Sequence, residues 1–291
     1  MLFWAANFIV VKAANEQIPP VSFAFLRFGI AALTLLVVLR WREGGWSPPK
    51  GDTLAIMALG GLGFGIYQFL WSIALQQIPA GDSALLIATT PVLTALLAVV
   101  SGADTLTRTK LLGSVISFVG VGVIVSAGHG LTLGTQLIAD AMTLVSATCW
   151  AIYTAFGATV LRRHSPLRTT TWAMVGGSLV LLIPGVIQAV GVDFGRVSID
   201  AWAGLAFSAF IPAGIANVVV FNAIKLLGPT RITAYQFLVP FLAVLMGAAF
   251  LAEPVRADQL IGGLVIVAGV AIARTDRVTA FGGWLRERIP G

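Results

Sequence analysis

ALQQIPAGDSALLIATTPVLTALLAVVSGADTLTRTKLLGSVISFVGVGV, residues Ala74–Val123, has a second copy in the chain: moved by 149 positions it falls on Ala223–Ile272. Pro91 then meets Pro240, Leu93 meets Leu242, Leu96 meets Leu245, Gly113 meets Gly262 and Gly120 meets Gly269, while Asp104 meets another acid, Glu253. Each copy reads as an apolar helix with a mid-helix proline, a polar turn carrying one acid, and a second apolar helix rich in small residues. A repeat of this kind in a hydrophobic chain points to a carrier built from two related halves.

Working outward, the composition places both copies in a membrane. Of 291 residues, 58% are hydrophobic and 10% charged, against roughly 45–50% apolar and about 25% charged in soluble domains. The apolar runs lack the period-two alternation of barrel strands, so the expected class is all-α. The net charge of +6 does not indicate a nucleic-acid partner, because the basic residues sit in turns between apolar runs. Cys149 is the single cysteine, so no intramolecular disulfide is possible. His129 and His164 fall in turns, which argues against haem or a histidine metal site; no cofactor or metal is expected.

Ten apolar segments can be counted: Leu2–Ala14, Val21–Trp41, Leu54–Leu75, Ser83–Val100, Leu111–Val125, Leu137–Leu161, Thr169–Val190, Ala201–Ile224, Ile232–Leu251 and Leu260–Ala273. The first is short against the ~20 residues a span needs, and it has no basic leader; the expectation is that natural residues precede it. With the N-terminus placed in the cytoplasm, fourteen of the 18 Lys and Arg fall in inner loops or the tail. Only Arg196 and Arg256 fall outside, and Lys12 and Arg27 lie within segments. This bias predicts ten spans with both termini inside. Five segments per half is an odd number, so the second half enters the membrane from the opposite face. The expected organisation is a five-helix repeat over 1–128, an inverted one over 129–278, and an interfacial tail over 279–291. The first helices follow the same logic at an offset of 146, which pairs Trp4 with Trp150 and Pro20 with Pro166.

FWAANFIVVKAA (Phe3–Ala14), PPVSFAFLRFGIAAL (Pro19–Leu33) and the pattern P-x(12)-[DE]-x(8)-G-x(6)-G in both halves resemble the drug/metabolite transporter superfamily in its ten-helix, EamA-type branch. More narrowly, the chain is similar to the YddG type of aromatic amino-acid exporters. The resemblance spans nearly the whole chain and implies alternating access around a central cavity in the bacterial inner membrane. Asp104 stands where that family usually has Glu.

Enzyme motifs are absent. Gly61, Gly63 and Gly65 are spaced like a phosphate loop but lie inside an apolar helix, where small residues permit close packing; Gly113, Gly120, Gly122, Gly262, Gly263 and Gly269 read as scaffold in the same way. The polar and aromatic residues are concentrated elsewhere. Phe64, Tyr67, Gln68 and Trp71 recur at three- and four-residue spacing on one helix, and Ser146, Cys149, Trp150 and Tyr153 on another. Trp4 and Asn7, Asn217, Phe221 and Asn222, and Tyr235 and Gln236 complete the set. Amides and phenols are costly in hydrocarbon, so these faces should point inward and line a cavity. The alternative for Trp4, Tyr67 and Trp71 is interfacial anchoring.

Lys12 and Arg27 are the only cations inside segments. One or both would hold a substrate carboxylate; otherwise Arg27 snorkels to the surface and Lys12 pairs with Glu16, one turn on. Pro91 and Pro240 would act as hinges or as rigid bends. Glu16, Asp82, Glu253 and Asp258 are assigned to outer turns, and Asp140 to the outer end of helix 6, leaving no deeply embedded acid. The expected partners are the lipid bilayer and a small molecule such as an amino acid, with the protein monomeric. The competing solutes are nucleotide sugars, purines and drugs; a membrane scaffold is the alternative from another class.

Overall fold

In the computed structural model, residues 1–100, 107–129, 134–161, 163–227 and 238–288 are described, with backbone alone at 98, 126–129, 158–159, 161, 221, 224–227 and 274–288. Among the described residues the secondary structure is entirely helical. The elements are α1 (Leu2–Ala14), α2 (Pro20–Glu43), α3 (Thr53–Ala74), α4 (Ala80–Ile87 and Thr90–Val100), α5 (Arg108–His129), α6 (Thr135–Leu161), α7 (Pro166–Ala189), α8 (Ile199–Ser208, Ala209–Ile215 and Ala216–Leu227), α9 (Leu238–Leu251) and α10 (Ala257–Arg288). Seven of them are long and apolar enough to cross a membrane, and α1, α9 and Ala257–Ala273 of α10 are shorter apolar helices. The tail expected to begin at Thr279 continues the α10 backbone as far as Arg288.

Local chemistry sets the ends. Pro20 and Pro166 open α2 and α7 at a position whose N–H no helix uses. Ser165 and Ser198 accept from Arg168 N and Ala201 N as N-caps of α7 and α8. Gly44, at φ +74, closes α2 in the left-handed conformation that glycine adopts without strain.

Two of the extensive helix contacts are antiparallel. In α5 and α10, a Cβ on Gly269 would lie 2.4 Å from Ser117 Oγ and 2.6 Å from Gly113 O, and one on Gly120 would lie 2.7 Å from Gly262 O. Ser117 Oγ donates to Ile266 O at 3.1 Å. Residue numbers rise on one helix as they fall on the other, so the pair is antiparallel. The 149-residue shift carries Gly113 to Gly262, Ser117 to Ile266 and Gly120 to Gly269, so the contact maps onto itself. The α2–α7 pair is likewise antiparallel: Ser22 Oγ donates to Gly185 O at 2.7 Å, and Val21 N to Gln188 Oε1 at 2.9 Å. The remaining packing also comes in matched sets. α3 contacts α6 and α7 as α8 contacts α1 and α2, and α4 contacts α6 as α9 contacts α1.

The helices depart from α geometry at matched places. Gly61–Ile66 of α3 and Ala209–Ile215 of α8 are π-helical, 148 positions apart. In α3 the glycines let other chains approach: a Cβ on Gly63 would lie 2.5 Å from the Tyr153 ring, and one on Gly60 would overlap the Ala173 carbonyl.

The structure corrects the expectation for Pro91. α4 stops at Ile87 and restarts at Thr90, so Pro91 occupies the first turn of a new segment, not the middle of a helix. There its missing N–H leaves no carbonyl stranded. The Thr89 and Thr90 hydroxyls cover the break by donating to Leu86 O and Ile87 O at 2.7 and 2.6 Å. Pro240 is the third residue of described α9; Ile232–Phe237, expected to precede it in the same helix, lie outside the described residues.

The glycine contact is testable. Gly269→Leu should cost about 1–3 kcal/mol or more by overpacking and visibly lower the melting temperature of the purified protein. Gly122→Leu, where an added Cβ meets nothing within 4 Å, should leave it unchanged.

Candidate functional site

A cavity of about 150 Å³ lies between α1, α2, α3, α4, α6, α8 and α9. An engineered apolar cavity of about that volume holds a benzene ring. Of the sequence-predicted site residues, Trp4, Asn7, Arg27, Tyr67, Gln68, Trp71, Trp150 and Asn217 border it, as do Pro91 and Pro240. Five pairs of lining residues are related by the repeat: Trp4 with Trp150, Phe64 with Ala213, Gln68 with Asn217, Thr90 with Val239, and Pro91 with Pro240. The cavity therefore sits astride the relation between the halves.

Its wall is an aromatic cluster. Tyr67 and Trp71 stack with centroids 6.2 Å apart and planes 6° off parallel. Trp150 lies 5.8 Å from Tyr67 and 5.7 Å from Phe64. Trp71 is 2% exposed; it meets Phe8 edge-on at 5.2 Å and donates from Nε1 to Ser83 Oγ at 3.0 Å. Tyr153 does not reach the cavity: it is buried behind Trp150 and Phe64, at 5.2 and 5.0 Å, and supports both. On the opposite wall the π segment of α8 is held open by side chains. Trp4 Nε1 donates to Pro212 O at 3.2 Å, and Asn217 Nδ2 to Pro212 O and Ala213 O at 3.0 Å each. Ser208 Oγ donates to Asn7 Oδ1, fixing α1 to α8.

Charge is scarce and one-sided. Arg27 on α2 is 4% exposed and has its Cζ 4.4 Å from the Phe28 ring centroid; among the described residues it makes no ion pair and its Nε has no hydrogen-bond partner. The aromatic face offsets only part of the desolvation of such a cation. Gln68 Oε1 is likewise buried without a partner. No Asp or Glu among the described residues lines the cavity. An anionic group would relieve Arg27, and a donor would relieve Gln68.

Lys12 requires a correction. Its Nζ donates to Glu253 Oε1 at 2.6 Å and to Ile78 O at 2.8 Å, outside the cavity lining. It is committed to a carboxylate from the far half of the chain, neither facing substrate space nor paired with Glu16. Asp82 is also corrected: it is no turn residue but lies buried in the first turn of α4, with Arg256 Nη2 at 3.2 Å and Gln259 Nε2 at 2.8 Å. The Phe221 side chain, Tyr235, Gln236 and Asp104 lie outside the described residues. Phe8, Phe28 and Ala213 also line the cavity but were not predicted to. For Ala213 the signal was available, since the repeat pairs it with Phe64.

Together these features define a multi-pass helical membrane protein with a half-open, aromatic, cation-bearing site. The EamA-like transporter family matches residues 1–126 and 137–275, and the chain belongs to that family of carriers, not enzymes. It is accordingly a multi-pass transporter of the bacterial inner membrane. The chain is 28% identical over 275 residues to the uncharacterized transporter YyaM of Bacillus subtilis, covering 94% of this chain and 90% of that one. It is 27% identical over 270 residues to a probable terminal-alkyne amino-acid exporter of Streptantibioticus cattleyicolor, covering 92% and 89%. A probable amino-acid metabolite efflux pump of Salmonella typhimurium is 26% identical over 287 residues, covering 94% and 91%.

The aromatic wall separates binding from support. Trp150→Ala should lower transport of aromatic substrates about 2- to 10-fold, in line with the ~0.5–1.5 kcal/mol of a ring pair, with little change in melting temperature. Trp71→Ala should instead destabilise the protein by about 3–5 kcal/mol, seen as a fall in melting temperature.

Proposed function

We propose that this protein exports amino acids, aromatic or neutral, or similar small metabolites by alternating access. The observation that carries this reading is Arg27, a buried cation with no carboxylate partner among the described residues, set into a ring-sized aromatic cavity. A zwitterion with an apolar ring satisfies both features: its carboxylate meets the guanidinium, and its ring meets Trp150 and Tyr67. Gln68 Oε1 is then an acceptor for the ammonium. The names of two relatives, an amino-acid exporter and an amino-acid metabolite efflux pump, support the same substrate class.

The architecture behind this reading is ten spans, with an inverted five-helix repeat over 1–128 and 129–278 and both termini cytoplasmic. The antiparallel α5–α10 and α2–α7 contacts support it, because a two-fold axis lying in the membrane plane turns a helix end over end. One family matching each half in turn and the basic inner loops support it as well. Pro91 and Pro240, on facing walls, are proposed to move with the gates, and a monomer suffices for a site lined by one chain.

Two measurements test this. Reconstituted in liposomes, Arg27→Met should lose amino-acid efflux by about 10- to 100-fold, the range for a hydrogen bond to a charged group. Transport of the corresponding amino-acid amide should change little; equal loss of both would make Arg27 a support of the fold. For topology, Ser47→Cys in a Cys149→Ala background should resist an impermeant thiol reagent in intact cells, whereas Val192→Cys should react. The reverse pattern would overturn the cytoplasmic placement of the termini.

A further inference from the structure

The helix contacts and much of the cavity come in repeat-related pairs, but one cluster of charged groups does not. Lys12, near the end of α1, holds Glu253 in the turn between α9 and α10. Both Glu253 oxygens also accept from the Ala80 N–H that opens α4, at 3.0 Å each. Three residues further on, Arg256 bridges Asp82 and Asp258 at 3.2 and 3.1 Å, and Gln259 takes the other Asp82 oxygen. These bonds join α1, α4 and the α9–α10 turn. The same three helices line the cavity through Asn7, Ala88 and Pro240. Along each of them the charged groups lie displaced from the cavity toward the same end of the bundle. The cluster therefore ties together one mouth of the cavity.

At the other end the sequence cannot build the same bonds. The repeat offsets carry Glu253 to Asp104, which keeps the acid, but Lys12 to Ala158, Ala80 to Pro229 and Asp82 to Arg231. Alanine carries no charge, proline has no N–H to donate, and arginine cannot accept a hydrogen bond. In a carrier made of two equal inverted halves, the two closed states would be equally populated. Only contacts made in one state and not in the other can bias them.

We infer that the Lys12–Glu253–Ala80 and Arg256–Asp82 cluster is an ionic latch that holds the outer mouth shut and makes the cytoplasm-facing state the resting state of the carrier. The inference rests on the orientation given above only for the word outer. An exporter held this way waits open to the side from which it loads. Substrate binding supplies the interactions that let the latch part.

The test uses Ala88→Cys, a cavity-lining position, in a Cys149→Ala background, labelled with an impermeant thiol reagent in intact cells and in inside-out vesicles. The unmodified latch should give fast labelling from the cytoplasmic side and slow labelling from outside. Glu253→Gln and Lys12→Met should each raise the outside rate about tenfold or more, since a tenfold shift in population needs only ~1.4 kcal/mol. Glu253→Asp should restore slow labelling, and Asp52→Asn, which unpairs Arg163 and His164 at the opposite end of the bundle, should leave it slow. A rise confined to the vesicles would keep the latch and overturn the orientation. No rise on either side with both latch variants would overturn the latch itself.

Discussion

Hydrocarbon offers no partner to an unpaired amide, and this constraint shapes the molecule more than any single contact. It explains why the described chain is helical throughout, and it restricts where a helix can be interrupted. Three interruptions are seen: the π segments Gly61–Ile66 and Ala209–Ile215, and the break at Ala88–Thr89. All three border the cavity. Two of them are covered from within the protein by side chains: the Pro212 carbonyl by Trp4 and Asn217, the α4 break by Thr89 and Thr90. Irregular backbone and binding site coincide because the packed interior is the one place where freed polar groups find partners.

That coincidence explains what was legible in the sequence. Helix ends were, since Pro20, Pro166, Gly44 and the serine caps are local signals; the repeat gave the pairing of Gly113 with Gly262 and of Pro91 with Pro240 before any coordinates. The amides and tryptophans were legible as an inward-facing set because they are expensive anywhere else. Phe8 and Phe28 were not, because a phenylalanine facing a cavity and one facing lipid cost the same. The α4 break escaped because proline at a helix start and proline in a helix middle look alike in sequence; the two threonines before Pro91 were the available hint. Lys12 was misplaced because its partner, Glu253, is 241 residues away, and local spacing offered Glu16 in its stead.

Burial of the two intramembrane cations follows two different solutions of one problem. Lys12 donates to Glu253 and to the Ile78 carbonyl, and Glu253 in turn accepts from the Ala80 N–H, so this lysine contributes to structure. Among the described residues Arg27 has only the Phe28 face, and the guanidinium remains a charge in search of a counter-ion. A buried charge left without a partner is costly unless the protein is regularly supplied with one. Under the proposed function that partner arrives as substrate, and the cost of holding Arg27 unpaired then becomes part of the affinity for an anionic group.

Symmetry and its breaking then divide the labour. The glycine contacts of α5 with α10 recur under the repeat, as does the pairing of Gln68 with Asn217 across the cavity, which gives two related ways of closing around one site. The functional groups do not recur. Arg27 maps onto Ala173, which is fully buried with its backbone against Gly60, and Lys12 maps onto Ala158. A perfectly duplicated carrier would hold its substrate identically from both sides and prefer neither. With the buried cation in one half and, at one end, a charged cluster whose bonds the repeat cannot reproduce at the other, the proposed carrier would take a single binding orientation and a preferred resting face from a scaffold that by itself specifies neither.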